Sequence, residues 1–213
     1  NIGQALASYQ RSLNSADSAF DRWSYGHQPE AMSESAQRGL SLFNGKAGCQ
    51  QCHTIGSETA LFTDQKRHNT GIGYAASMLR ESGQQLITVA PGVNISVDRK
   101  TLSSVAPLQR HDLGYYEVTQ QPADRWAYKT PSLRNIALTA PYMHDGSLAD
   151  LPAVLDFYDQ GGVANENLSP MIKPLHLTAA EKQDLLNFLR ALTGSNIETL
   201  VGDAFAAPVA DWQ

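Results

Sequence analysis

Cysteine is scarce in this chain. Its 213 residues include two, Cys49 and Cys52, and both fall in one five-residue window. A disulfide framework for a domain of this length uses more, so the pair serves a local purpose. Long apolar runs are missing too: nothing approaches the roughly 18 consecutive residues of a spanning helix, so no membrane span is expected. Positive charge is in deficit, with 16 Lys and Arg against 21 Asp and Glu and a formal net charge of −5. With no basic run and no Lys/Arg cluster interleaved with aromatics, a dedicated nucleic-acid binder is excluded. No export leader is recognisable. The first residue is Asn1, not Met, so a leader or an upstream domain is expected to have been removed.

What is present suffices for a folded domain. Hydrophobic residues make up 42% and charged residues 17%, a balance that buries a core and is not that of a disordered chain. Ile2, Leu6, Tyr9 and Leu13 at helical spacing predict a helix over 2–20. Ser33 caps a second, with Ala36, Leu40 and Phe43 on its buried face, ending at the turn signal Asn44-Gly45. Residues 56–128 are punctuated by Gly, Asn, Gln and Ser and have weak periodicity. They read as a long irregular insertion, with a short strand or hairpin near Leu86–Val97. Leu151, Val154, Leu155 and Tyr158 define a short helix stopped by Gly161-Gly162. Thr178 and Glu181 form a capping box for a last helix carrying Leu185, Leu186, Leu189 and Leu192, closed by Gly194. The tail 195–213 has little pattern.

The chemistry lies in Cys49-Gln50-Gln51-Cys52-His53. Two thiols three positions apart share one turn, and each can add to one vinyl group of a haem. The next residue, His53, then offers an imidazole to the iron. A thioredoxin-like dithiol needs a βαβ setting, and these flanks are helical. A zinc site needs about four ligands, and no second cysteine pair exists. The directly following histidine selects covalent haem c. Spacing alone leaves the other axial position open among Met32, Met78, Met143, Met171, His27, His68, His111, His144, His176 and several tyrosines.

Several stretches resemble one family, the bacterial di-haem cytochrome c peroxidases with their MauG-type branch. They are 43–53 (Phe-Asn-Gly-Lys-Ala-Gly-Cys-Gln-Gln-Cys-His), 129–146 (Lys-Thr-Pro-Ser-Leu-Arg-Asn-Ile-Ala-Leu-Thr-Ala-Pro-Tyr-Met-His-Asp-Gly) and 156–162 (Asp-Phe-Tyr-Asp-Gln-Gly-Gly). Phe62-Thr-Asp, His68-Asn-Thr-Gly and the stretch from Leu175 to Gly194 are also similar. Ala-Phe-Asp-Arg-Trp at 19–23 resembles the segment joining the family's two haem domains. That family carries two haems in two domains, whereas this chain has one Cys-x-x-Cys-His. The resemblance therefore implies the C-terminal haem domain plus the connecting helix.

The resemblance also implies site residues. Peroxidases place Met, and MauG-type members Tyr, on the helix after the His144-Asp145-Gly146 turn; the matching position here is Tyr158, with Met143 as the alternative distal ligand. Thr139 and Pro141 match positions whose backbone carbonyls help bind Ca²⁺ between the two domains, and hard carbonyl oxygens suit that ion. Arg134 offers a guanidinium to a haem propionate. His144 is expected near the haem, and Trp23 and Trp126 are candidate electron relays. A thioether ligand raises the potential, whereas a phenolate, a hard anion, favours ferric iron.

The expected fold is all-α, a cytochrome c-like haem domain with a long irregular insertion. Residues 1–32 would be connecting helix and linker, 33–194 the haem domain with the 56–128 insertion, and 195–213 a C-terminal tail. The expected function is that of a MauG-type, peroxidase-like oxidoreductase domain in the periplasm. It would pass electrons or oxidising equivalents to or from a peroxide-reactive haem on another domain or chain, with Tyr158 in the catalytic role. Expected partners are hydrogen peroxide, that second haem domain or chain, and a redox partner protein or protein substrate. The alternatives are a stand-alone mono-haem electron-transfer cytochrome c and a structural or sensing subunit.

Overall fold

Capping residues set most of the helix boundaries. The computed structural model describes residues 1–79, 84–90, 93–98, 101 and 112–206. In chain order the helices are α1 (Ile2–Ser12), α2 (Ala19–Ser24), α3 (Glu34–Asn44), a single turn α4 (Ile72–Tyr74), α5 (Tyr116–Thr119), α6 (Leu151–Asp159), α7 (Ala179–Arg190) and α8 (Ile197–Ala206). The strands are β1 (Arg67–His68), β2 (Gln84–Ala90), β3 (Val93–Asp98) and β4 (Tyr128–Lys129). Helix dominates, as the all-α reading requires. Among the described residues no helix is long and apolar enough to cross a membrane.

The chain divides into two compact units. The first comprises Asn1–Asp64, Pro131–Leu155 and Leu177–Gln213. Its core is a cluster of edge-on rings. Phe20 lies 5.1 Å from Phe62 and 6.0 Å from Phe188, and Phe43 lies 5.1 Å from Phe188. These four rings are essentially inaccessible, as are Leu185 and Leu192. Edge-to-face pairs add about 0.5–1.5 kcal/mol each beyond the area they bury.

Helices α3 and α7 pack closely because Gly39 leaves a gap between them. A Cβ at that position would fall well inside contact distance of the Asp184 carbonyl and 2.8 Å from Phe188 Cβ. The same interface is pinned at its edge by polar groups. Ser35 Oγ donates to Asp184 Oδ1 at 2.5 Å, and Arg38 takes both Asp184 oxygens at 2.9 Å. Both ends of the pair are capped as the sequence predicts. Ser33 Oγ accepts from Ala36 N–H, and Thr178 with Glu181 forms a reciprocal capping box.

Helix α1 stops sooner than the 2–20 prediction. Asn14–Asp17 leave the helical path, with Asp17 at φ 55°, and Ser18 restarts the chain as the cap of α2. Ser18 Oγ accepts from Asp21 N–H, and Asp21 Oδ2 accepts from Ser18 N–H. A competing cap therefore breaks what periodicity reads as one helix. None of α1 is buried; Ile2 and Leu6 are 80% and 57% exposed. The patternless tail proves to contain α8, whose Ile197, Leu200 and Val201 share a face; residues 207–213 lie outside the described part.

The second unit comprises Gln65–Thr130 and Asp156–His176. It holds most of the expected insertion, and the anticipated hairpin is present: β2 and β3 pair antiparallel with Ile87 opposite Ile95. A second small ladder pairs β1 with β4. Buried Asn69 ties three segments together. Its Nδ2 donates to Asn165 Oδ1 at 2.9 Å and to Arg125 O at 3.3 Å, and its Oδ1 accepts from Gly71 N–H at 2.7 Å. Trp126 is buried, stacks edge-on with Tyr74 at 5.1 Å and donates from Nε1 to Ser77 Oγ at 3.2 Å.

Two outcomes follow. Gly39→Ala is expected to lower the unfolding free energy by about 1–3 kcal/mol through overpacking, although alanine is the better helix former by about 1 kcal/mol; urea titration measures the difference. Asp21 sets an acid limit. Burial opposes its charge, but hydrogen bonds from Arg134 and Ser18 outweigh burial and hold the carboxyl below its ordinary 3.8. A depressed folded value means that the stabilisation is present above the unfolded carboxylate range and is lost as pH falls through the folded value. Denaturant titrations stepped down below about pH 4 should therefore show a loss that Asp21→Asn, already deprived of it, does not share.

Candidate functional site

The Cys49–His53 window forms one tight turn. Asn44-Gly45 ends α3, and Gly48 enters the turn at φ 62°, a left-handed conformation that favours glycine. Residues Cys49–Gln51 make a 3-10 turn, closed by Cys52 N–H and His53 N–H, both donating to Cys49 O at 3.2 and 2.9 Å. Two sulfurs and one imidazole are thus delivered by a single loop of backbone. The cysteines are half-buried and not joined in a disulfide. Burial pushes the Cys49 thiol up to about 12.

His53 is oriented by its other nitrogen. Its Nδ1 lies 2.8 Å from the Phe62 carbonyl oxygen. A carbonyl only accepts, so Nδ1 carries the proton and Nε2 is the lone-pair nitrogen, the form that ligates iron. Phe62 is fully buried and sits at φ 52°, a strained conformation for a bulky residue. The loop between is closed by Thr54 Oγ1 donating to Thr63 O at 2.9 Å, and Tyr25 Oη donates to Gly56 O at 2.8 Å. The His53 ring lies 6.5 Å from that of Phe43, a member of the buried ring cluster. The donor set, its spacing and the histidine tautomer fit a covalent haem.

Arg134 belongs to the first unit. Its Nη1 and Nη2 donate to Asp21 at 2.5 and 2.7 Å, and Nε donates to Ala60 O at 2.8 Å. The guanidinium also lies over the Phe62 ring, 5.5 Å from its centroid. All three of its nitrogens donate within the first unit, which makes it a structural clamp. Sequence reasoning missed Asp21, Ala60 and Phe62. The Ser18-x-x-Asp21 capping pattern was the available signal for the first. The left-handed Phe62 leaves no sequence signature.

The remaining candidates belong to both units. Tyr158 belongs to the second unit, near the end of α6. It is half-buried and packs edge-on against Phe157 at 5.2 Å, and its carbonyl accepts from Gly161 N–H at 3.0 Å. Met143 belongs to the first unit and sits half-buried at φ 71°, its carbonyl accepting from Gly146 N–H at 3.3 Å; the neighbouring His144 is exposed. Thr139 and Pro141 flank Ala140 on an exposed stretch. Met32 is core, 2% exposed, whereas Met78 is 52% exposed. Trp23 is half-buried, and His111 lies outside the described residues.

Comparison with known proteins closes the question of kinship. No family model matches. The cytochrome-c peroxidase IdrP1 of Pseudomonas sp. is 40% identical over 198 residues, spanning 90% of this chain and 49% of that protein. The methylamine utilization protein MauG of Methylorubrum extorquens is 35% identical over 192 residues, 90% of this chain and 44% of that protein. The crystal structure of a MauG-like protein associated with microbial copper homeostasis superposes with a TM-score of 0.64 at 33% identity, covering 91% of this chain and 56% of that one. The chain thus spans about half the length of the curated relatives it matches. The helical haem-type fold, the Cys-x-x-Cys-His turn and these likenesses agree: the chain belongs to the di-haem cytochrome c peroxidase and MauG family.

Proposed function

We propose that this chain is the C-terminal haem domain of a MauG-type, peroxidase-like oxidoreductase. Cys49 and Cys52 would hold one haem c by thioether bonds, and His53 Nε2 would be the proximal ligand. The observation that carries this reading is the hydrogen bond from His53 Nδ1–H to Phe62 O, which fixes the ligating tautomer beside two thiols of one turn. Tyr158 is the proposed distal ligand, and Met143 the alternative. A bound haem supplies one-electron redox chemistry.

The role follows from the relatives, of which this chain spans about half. Reduction of hydrogen peroxide to two waters takes two electrons and two protons, a load that two haems can share. The proposed partners are therefore a peroxide-reactive haem on another domain or chain, and a redox protein or protein substrate. An anionic oxygen ligand such as a tyrosinate favours the oxidised metal, which suits a domain that stores an oxidising equivalent. Covalent haem is attached after export, so the periplasm is the proposed compartment. Thr139 and Pro141 offer two carbonyl oxygens to calcium. Two of the 6–8 oxygens that the ion takes make a partial site, completed by donors outside this pair.

Three measurements test the reading. Replacing Cys49 and Cys52 together by Ala should leave no haem on the chain after denaturing gel separation; pigment retained there argues against attachment through this turn. Tyr158→Phe should change the ferric spin state and open access to cyanide or peroxide, whereas an unaltered spectrum removes Tyr158 from the iron. The function itself is tested by titrating peroxide into the haem-loaded chain, alone and with co-purifying partners, alongside a haem count per particle. A peroxide-oxidised species with two haems per particle supports the proposal. One haem and no such species would leave a stand-alone electron-transfer cytochrome.

A further inference from the structure

The clamp at Arg134 does more than hold a loop. We propose that Asp21 and Arg134 are positioning residues for His53, setting the strength of the hydrogen bond on its Nδ1 and thereby the redox potential of the metal that His53 holds. The proposal rests on the haem reading above and goes beyond it, by assigning a tuning role to α2.

The contacts run without a gap. The Asp21 carboxylate engages both terminal nitrogens of Arg134, and a guanidinium fork has one planar geometry, so Nε is fixed in turn. That Nε holds Ala60 O at 2.8 Å. Two residues on, Phe62 lies under the guanidinium and presents its carbonyl to His53 at 2.8 Å. Asp21 is anchored on its own side. Ser18 caps it, Phe20 N–H donates to Ala191 O at 3.1 Å, and the Phe20 ring lies 5.1 Å from that of Phe62. The ion pair is well shielded, with 13% of the Arg134 side chain and 16% of the Asp21 side chain exposed, so its geometry is not that of a mobile surface pair.

The strained backbone explains why a clamp is needed. A phenylalanine at φ 52° relaxes to negative φ unless its surroundings forbid it. Such a rotation turns the Phe62 carbonyl away from Nδ1. A strong hydrogen bond there makes the ring more imidazolate-like and raises the basicity of Nε2, which favours the ferric metal. Loosening the clamp therefore weakens that preference and raises the potential.

The test uses the haem-loaded chain and a spectroelectrochemical titration. Asp21→Asn and Arg134→Lys are expected to shift the midpoint potential upward, the lysine variant by less because it keeps the charge but loses the fork. Arg38→Gln breaks a different ion pair of the same unit and should leave the potential in place. Where Asp21→Asn does not fold, Arg134→Lys decides. Folded, haem-loaded variants with the parental potential would overturn the proposal, leaving the clamp merely structural, as would an equal shift in Arg38→Gln. A parent chain without haem would instead overturn the reading beneath it.

Discussion

The bond from His53 Nδ1–H to the Phe62 carbonyl is the constraint on which the candidate site depends. A histidine next to two cysteines is only a potential ligand; the proton on one nitrogen determines what the other can do. Supplying the acceptor from a carbonyl, which cannot donate, removes the choice of tautomer. The acceptor is itself held by a left-handed phenylalanine, a ring cluster and an ion pair. The first unit thus concentrates its best-shielded contacts around an atom that carries no chemistry of its own.

The sequence revealed the site's donors and not their supports. Cys49, Cys52 and His53 are adjacent in the chain, so their relation is local and visible in the motif. Asp21, Ala60, Phe62 and Arg134 come from three separate stretches, and only folding brings them together. The charge on Arg134 suggested an anionic partner, and within this chain it has one in the Asp21 carboxylate. Periodicity and capping marked α3, α6 and α7 well, because Ser33, Thr178 and Glu181 punctuate their apolar faces. It failed where two signals competed, at the Ser18 cap inside an apparently continuous helix. It failed again at α8, whose apolar face is short. The hairpin was legible because alternation survives in Ile87, Val89, Val93, Ile95 and Val97.

Kinship and activity have different standing here. Relatives of 40% and 35% identity establish the family, yet the chain spans about half of each. What the relatives do as whole proteins needs the rest of their length. The Cys-x-x-Cys-His turn does not, since every group in it comes from this chain.

Local and distant contacts divide the site in time as well as in space. The turn that presents the two sulfurs is closed by hydrogen bonds spanning three or four residues, so it needs nothing beyond residue 53 to form. The clamp that aims the imidazole waits for Arg134, some eighty positions later in the chain. A growing polypeptide can therefore offer its thiols before its histidine is set, and the final geometry of the site arrives only with the completed fold.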